Sequence, residues 1–231
     1  MKIASKSLKN QLVAYGFIAP AIILLVLLMV YPMILVIWNS FFSNYIIDPS
    51  PKWVGFEHYK WALTNDVFIR AFSNTMVFTI SSVVLHLAIG LAFALLLNYP
   101  INRYAQTFFR VLLILPWVFT VAVVAIVWRL LLDPLGIVNY ILSIIGFVEP
   151  GLTWFGSPER ALPALILTNA WGGYPFIMVS LLAGLQGIPN ILYEAATTDG
   201  ANSLQKFLYI TIPQLRPVIL SIGLLDFIWT Y

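Results

Sequence analysis

Long apolar runs separated by short polar breaks dominate the chain. They cover 14–38, 75–97, 111–132 and 162–185, each near the roughly 20 apolar residues that a helix needs to cross a bilayer core. A fifth run begins at Val218 and is still apolar where the sequence stops at Tyr231. It is too short to cross, so the fifth span is expected to be incomplete and the chain a piece of a longer protein. The first run follows a basic flank (Lys2, Lys6, Lys9) but is too long for a signal-peptide core and has no small-residue cleavage site, so it reads as a retained span. Trp53–Phe72 places apolar residues at Phe56, Tyr59 and Leu63, then at Val67, Phe68 and Phe72, which predicts short surface helices. Gly136–Val148 is apolar but too short to span and predicts an interfacial or re-entrant helix. No loop is long enough to fold alone. The expected fold is all-α, a polytopic transmembrane helical bundle forming a single domain over 1–231.

Composition agrees. The chain is 61% hydrophobic and 9% charged, with a mean hydropathy of +0.93. Water-soluble domains carry roughly 25% charged residues, so this chain cannot cover itself for water. With no cysteine, disulfides, thiolate metal sites and cysteine nucleophiles are excluded. The net charge of +3 bears on orientation more than on nucleic acid, and no nucleic-acid partner is expected. Lys2, Lys6, Lys9, Arg103, Arg110, Lys206 and Arg216 fall on one side of the predicted spans. Lys52, Lys60, Arg70, Arg129 and Arg160 fall on the other, in longer loops that also hold Asp48, Glu57, Asp66, Asp133, Glu149 and Glu159. The excess of basic residues in short loops marks the cytoplasmic face, so the N-terminus, the 98–110 loop and the segment after 186 are expected there. Trp38, Trp53, Trp61, Trp128 and Trp154 then lie near the outer boundary, where interfacial aromatics gather.

One polar island stands out, Glu194-Ala195-Ala196-Thr197-Thr198-Asp199-Gly200-Ala201. Pro189 suits the first turn of a helix and Gly200 the left-handed position that ends one. Asn202 or Ser203 can cap a second helix, with Gln205 three residues after Asn202. That helix is expected to end before Pro213, because the residue before a proline avoids helical angles, and Pro217 to start the fifth span. The small side chains of Ala195, Ala196 and Ala201 let another surface approach, and Glu194 and Asp199 offer acceptors.

Glu-Ala-Ala, Asp-Gly-Ala, Phe207, Ile210, Ile212-Pro213 and Pro217 together resemble the EAA loop of binding-protein-dependent ABC importer permeases. Trp171-Gly-Gly-Tyr-Pro-Phe176, Leu185-Gln186 and Ile188-Pro189 resemble the span that leads into that loop in the carbohydrate-uptake branch. So do Val54-Gly55-Phe56 with Tyr59, Asn74-Thr75, the run from Phe109-Arg110 to Pro116, and Trp128-Arg129 to Gly136 with Asn139. The resemblance implies the type I importer permease fold, a prokaryotic cytoplasmic (inner) membrane location, a completed fifth span and a sixth. It implies that 189–216 is a coupling loop, with Glu194, Ala195, Ala196, Asp199, Gly200 and Ala201 docking on a cytoplasmic ABC ATPase dimer that uses ATP and Mg. A second permease subunit, an extracytoplasmic solute-binding protein and a sugar or related polar solute complete the implied assembly. Gly172, Gly173 and Phe176, with Asp226, Trp229 and Thr230 of the next span, match positions that line the sugar path.

The residues themselves carry no catalytic set. There is no Gly-x-x-x-x-Gly-Lys-Ser/Thr phosphate cradle, and His86, His58 and the acids show no metal-ligand spacing. No cofactor, metal or catalytic residue is expected in this chain. Polar groups within spans are costly and mark function or packing. His86 reads as a histidine hydrogen-bonded to a neighbouring helix or as a functional group. Asp226, about 12 Å beyond Val218 in a helix, should face a wet cavity or a partner. Gly172-Gly173 ahead of Pro175 predicts a break in the fourth span. The rival reading is a secondary transporter driven by an ion gradient, with Asp226 and His86 as coupling groups. Another is a scaffold that uses the island only to recruit a partner.

Overall fold

The computed structural model describes residues 15–43, 50–99 and 102–231. The basic flank at Lys2, Lys6 and Lys9 lies outside them, as does Asp48. The described chain is helical, and its one β-type pairing is an isolated bridge between Phe42 and Trp53. Two compact units divide inside one long helix, at Ala71 and Phe72.

The first unit holds helix α1 (Tyr15–Asn39), which contains a π-turn at Val26–Val30, and the short helix α2 (Glu57–Thr64). An aromatic cluster joins them. Phe41 stacks on Trp53 at 5.4 Å and meets Phe56 edge-on at 5.3 Å, and Ser40 shares a 2.6 Å hydroxyl bond with Tyr59. Gly55, at φ 58°, takes the left-handed turn that admits Phe56 to this cluster. Trp38 and Trp53 therefore work as a pair, with ring centroids 6.0 Å apart.

Helix α3 (Asp66–Asn98) begins earlier than the 75–97 expectation. Val67, Phe68 and Phe72 lie in its first turns and do not form a separate surface helix. In the second unit α3 meets α7 (Pro158–Gln186). Its buried residues, Thr79, Ser82, Val83, His86, Gly90, Ala94 and Leu97, recur at helical spacing along one stripe. A side chain at Gly90 would strike Ile177 at 2.8 Å, so the two helices touch nearly backbone to side chain there. His86 lies against Gly173 and Gly90 against Ile177, a step of four residues in the same direction on both helices, so α3 and α7 run parallel. Their C-terminal ends, at Asn98 and Gln186, thus share one end of the unit. That agrees with the loop grouping drawn from charge.

The core is built on α7. Tyr174, Ile177, Met178, Leu181, Leu182 and Leu185 are buried, and Leu215 of the last helix is fully buried against the same cluster. Fully burying a leucine or isoleucine side chain is worth about 1.5–3 kcal/mol, so this stripe fixes the helix pairing. One expectation fails here. Helix α7 does not break at Gly172-Gly173-Tyr174-Pro175; it is continuous with Pro163 and Pro175 inside it. Neighbouring helices cover this stretch: Tyr174 and Pro175 are buried, and Tyr174 donates to the Leu113 carbonyl at 2.9 Å. Packed protein tolerates an interior proline where water or lipid would not.

The break falls instead in the predicted third span. Residues 111–132 divide between α4 (Arg103–Val118) and α5 (Val121–Leu131), which meet at a bend of 97°. Phe119 is extended (φ −75°, ψ 141°), and the Thr120 side chain accepts the Val123 N–H at 3.4 Å to start α5 afresh. Pro116, which cannot donate to the helix ladder, sits in the last turn of α4.

The apolar 136–148 segment forms the short helix α6 (Ile137–Ile144), as expected. Buried Asn139 organises its surroundings. Its amide nitrogen donates to the Asp133 and Leu152 carbonyls at 2.8 and 2.7 Å, and its oxygen accepts from Trp154 Nε1 at 2.7 Å. Trp154 is thus a structural partner of Asn139. Trp128, expected at the boundary, packs edge-on against Trp171 at 6.1 Å.

Helix α8 (Asn190–Thr198) is followed by α9 (Ser203–Thr230), in which a π-turn covers Phe207–Thr211. The second island helix was expected to stop before Pro213, and the fifth span to start at Pro217. Instead α9 runs through both prolines and is 28 residues long.

Candidate solute cavity and docking segment

The island folds as a tight unit. Pro189 is the residue just before α8, one place earlier than a first-turn position. At the other end Gly200 adopts φ 80°, and Ala201 N–H closes onto the Ala196 carbonyl at 2.9 Å. Asn202 and Gln205 then make a reciprocal capping box, at 2.9 and 2.8 Å, that starts α9. Lys206 Nζ donates to Thr197 at 2.7 Å and the Tyr193 and Thr211 hydroxyls meet at 2.9 Å, so α8 is pinned to the first turns of α9. Glu194, Ala195, Asp199 and Gly200 are exposed, while Ala196 and Ala201 are half-buried. Ile191, Leu204 and Tyr209 are also exposed, which gives the segment a mixed apolar and acidic outer face.

A cavity of about 530 Å³ opens where the α4–α5 bend leaves the bundle. Pro116 and Trp117 end α4 there, Phe119 and Thr120 form the bend, and Val121, Val124 and Ala125 begin α5. The α7 wall supplies Thr168, Asn169, Gly172 and Gly173; His86 comes from α3, and Asp226 and Thr230 from α9.

Its polar edge is a hydrogen-bonded chain. His86 Nδ1 lies 2.8 Å from Asp226 Oδ2, and His86 Nε2 lies 3.0 Å from the Asn169 carbonyl. Both residues are almost fully buried, at 1% and 6% exposure. A carbonyl oxygen only accepts, so Nε2 carries a hydrogen and donates. Gly173 makes this reach possible. A β-carbon there would overlap the imidazole, 2.9 Å from Cδ2 and closer still to Nε2 and Cε1. The bare backbone lets the ring lie against α7 and bond the carbonyl one turn earlier.

Of the residues matched to a sugar path, Gly172, Gly173, Asp226 and Thr230 line this cavity together. Phe176 and Trp229 do not line it. They pack on each other at 5.3 Å, and Phe176 meets the lining residue Trp117 at 6.1 Å. Sequence reading missed Trp117, Phe119 and Thr120, because their place depends on the bend. Phe119 stacks on Trp171 at 6.5 Å with the rings nearly parallel. His86 and Asp226, read separately as groups within spans, are partners. No group of three or more histidine, cysteine, aspartate or glutamate side chains could hold a metal ion among the described residues.

Membrane-length helices, a largely apolar cavity with one polar edge and a capped surface element fit a polytopic α-helical transport permease. The chain belongs to the family described as binding-protein-dependent transport system inner membrane component, whose model matches residues 86–230. It is 37% identical over 214 residues to the sulfoquinovosyl glycerol transport system permease protein SmoG of Agrobacterium fabrum, covering 92% of this chain and 68% of that protein. It is 34% identical over 207 residues to the trehalose/maltose transport system permease protein MalF of Thermococcus litoralis, covering 89% and 69%. Among solved structures, a bacterial ABC transporter involved in import of the acidic polysaccharide alginate matches with a TM-score of 0.78 at 27% identity, over 96% of this chain and 74% of that one. The chain is thus an inner-membrane, multi-pass ABC importer permease of the carbohydrate-uptake branch, and the ion-driven alternative built on Asp226 and His86 is not favoured.

Proposed function

We propose that this subunit forms half of a membrane path for a sugar delivered by an extracytoplasmic binding protein, and that the 189–216 segment docks on a cytoplasmic ABC ATPase dimer. ATP and Mg are used in that partner, and a second permease subunit closes the path. The N-terminus and the island face the cytoplasm, as the loop charges indicate. The observation that carries the reading is the island itself: α8 pinned to the start of α9 by Tyr193–Thr211 and Lys206–Thr197, with Glu194, Asp199 and Gly200 exposed. A stiff exposed element at the root of a helix that reaches the cavity can carry rigid-body motion from a partner to the solute. Gly172, Gly173, Asp226 and Thr230 line the path, and Phe176 and Trp229 support its aromatic wall. A crystal structure of an alginate ABC transporter in complex with an oligosaccharide-bound periplasmic protein, 26% identical with a TM-score of 0.77, supports delivery of solute by such a protein.

The test is co-purification of the ATPase with this chain, together with solute uptake. Glu194→Lys or Gly200→Val should abolish uptake and loosen the ATPase while the helices remain inserted. Gly200→Val forces a β-branched residue to φ 80°, a left-handed conformation that costs about 1–2 kcal/mol. Unimpaired ATPase binding and uptake in the double variant would refute the docking role.

A further inference from the structure

A second cavity, of about 440 Å³, opens between the end of α3 and the start of α4 and shares no residue with the solute cavity. Phe93, Leu96 and Leu97 line it from α3, Tyr99 from the turn that follows, and Phe109 and Leu113 from α4. Leu97 is buried and Phe93 packs on buried Tyr174 at 5.2 Å, so these two form a floor, while Leu96, Tyr99 and Phe109 are exposed. Gln106 Nε2 donates to the Leu97 carbonyl at 2.6 Å and fixes the two helix ends to each other. The result is a hydrocarbon groove about 9 Å long on α3, built into the fold.

The edge of this groove carries positive charge without an acid. Arg103, Gln106, Arg110 and Leu113 follow at helical spacing on one stripe of α4, so the stripe that enters the groove at Leu113 holds two arginines. Arg110 is half-buried with its Nε enclosed and without a hydrogen-bond partner, and no ion pair among the described residues involves either arginine. The chain has no aspartate or glutamate between 67 and 132. Arg110 lies about 10 Å along the helix from Arg103. Long side chains on a helix lean toward its N-terminus, and cationic heads reach for the membrane surface, which carries the Arg110 guanidinium toward Arg103 at the rim.

We propose that this groove binds an anionic phospholipid of the leaflet at the Asn98 end, with an acyl chain between α3 and α4 and its phosphate on Arg103 and Arg110. From membrane interior to surface, the chain and head of such a lipid come in the same order as the groove and the two arginines. A protein helix in the same place would have to bring its own acid into the membrane, which is costly. Each basic residue at a membrane surface favours anionic over zwitterionic lipid by about fivefold.

The test uses the assembled importer in detergent micelles, with native mass spectrometry reading retention of phosphatidylglycerol and of phosphatidylcholine with the same acyl chains. The tightest-bound phosphatidylglycerol should be held about tenfold or more tighter than phosphatidylcholine, and Arg103→Gln and Arg110→Gln should each weaken it about fivefold. Equal affinity for the two lipids, or phosphatidylglycerol binding unchanged in both variants, overturns the proposal. A second measurement keeps both arginines: p-benzoylphenylalanine replaces Tyr99, and the importer is illuminated in nanodiscs containing phosphatidylglycerol. An adduct of phospholipid mass is expected. Crosslinking instead to the second permease subunit, the ATPase or another part of this protein shows that protein covers the groove, and overturns the proposal whether or not the arginine variants fold.

Discussion

Gly173→Ala adds one methyl group, yet its cost should be large for a reason specific to this site. The new β-carbon would overlap the His86 ring, and that ring cannot step aside because both nitrogens are bonded, to Asp226 and to the Asn169 carbonyl. Overpacking in a rigid interior costs about 1–3 kcal/mol. If the ring is expelled instead, Asp226 stays buried without its partner, which costs about 3–5 kcal/mol. The cheaper outcome wins, so the expected loss is about 1–3 kcal/mol, reached by strain that keeps the pair intact. Thermal unfolding of the purified protein in nanodiscs measures it. Gly172→Ala is the control, because a methyl group there meets only Val124 at 3.9 Å, an ordinary contact. Repeating Gly173→Ala in a His86→Ala background should recover most of the loss, as contacting residues are non-additive. Equal tolerance of alanine at 172 and 173, or the same cost with and without His86, would refute the close packing of that ring on α7.

Two further outcomes follow from side chains that hold turns in place. Asn139→Ala removes three bonds to Asp133, Leu152 and Trp154 at once, each worth about 1 kcal/mol net, and should raise protease cleavage between α5 and α7 without disturbing the α3–α7 core. Asn202→Ala breaks the capping box and should cost about 1 kcal/mol locally, seen as faster hydrogen exchange at the first amides of α9.

The helices, the membrane class and the capped island could be read from the sequence because each rests on local signals. Apolar run length gives the spans, Gly200 the left-handed turn, and Asn202 with Gln205 the cap. The cavity was less legible because its shape depends on where a span breaks. Gly172-Gly173 ahead of Pro175 carries the stronger break signal, yet α7 stays continuous because α3 and α4 cover its backbone and His86 occupies the space that Gly173 leaves open. The chain turns instead between Pro116 and Thr120, where Pro116 cannot donate to the helix ladder and the Thr120 side chain caps a new helix. His86 and Asp226 are 140 residues apart, and no periodicity links residues at such a separation. Each could be flagged alone, by its cost inside a membrane, but their pairing could not be.

The prolines of α9 locate the point at which this helix is easiest to bend. Pro213 lacks the N–H that would bond one turn back, and the π-turn ahead of it lets Ile212 bond to the Phe207 carbonyl five residues away. Ile212 therefore keeps helical angles (φ −62°, ψ −47°) although a proline follows it. On one side of Pro213, Thr211 is bonded to Tyr193 of α8, so the π-turn belongs mechanically to the island. On the other side, Leu215 is fully buried, and a β-carbon at Gly184 would meet it at 2.9 Å, which anchors the helix to α7. Eleven residues further on, Asp226 is held by His86 in a buried pair that costs about 3–5 kcal/mol to break. A load applied at the exposed face of α8 thus meets two fixed bodies, the island with its π-turn and the core with the Asp226 pair. Between them lies a short segment in which Pro213 leaves a helical hydrogen bond unmade. Bending there costs less than breaking either set of contacts. Under the proposed docking role, island motion therefore pivots at Pro213 and tilts the cavity segment of α9 with Asp226 still bonded to α3.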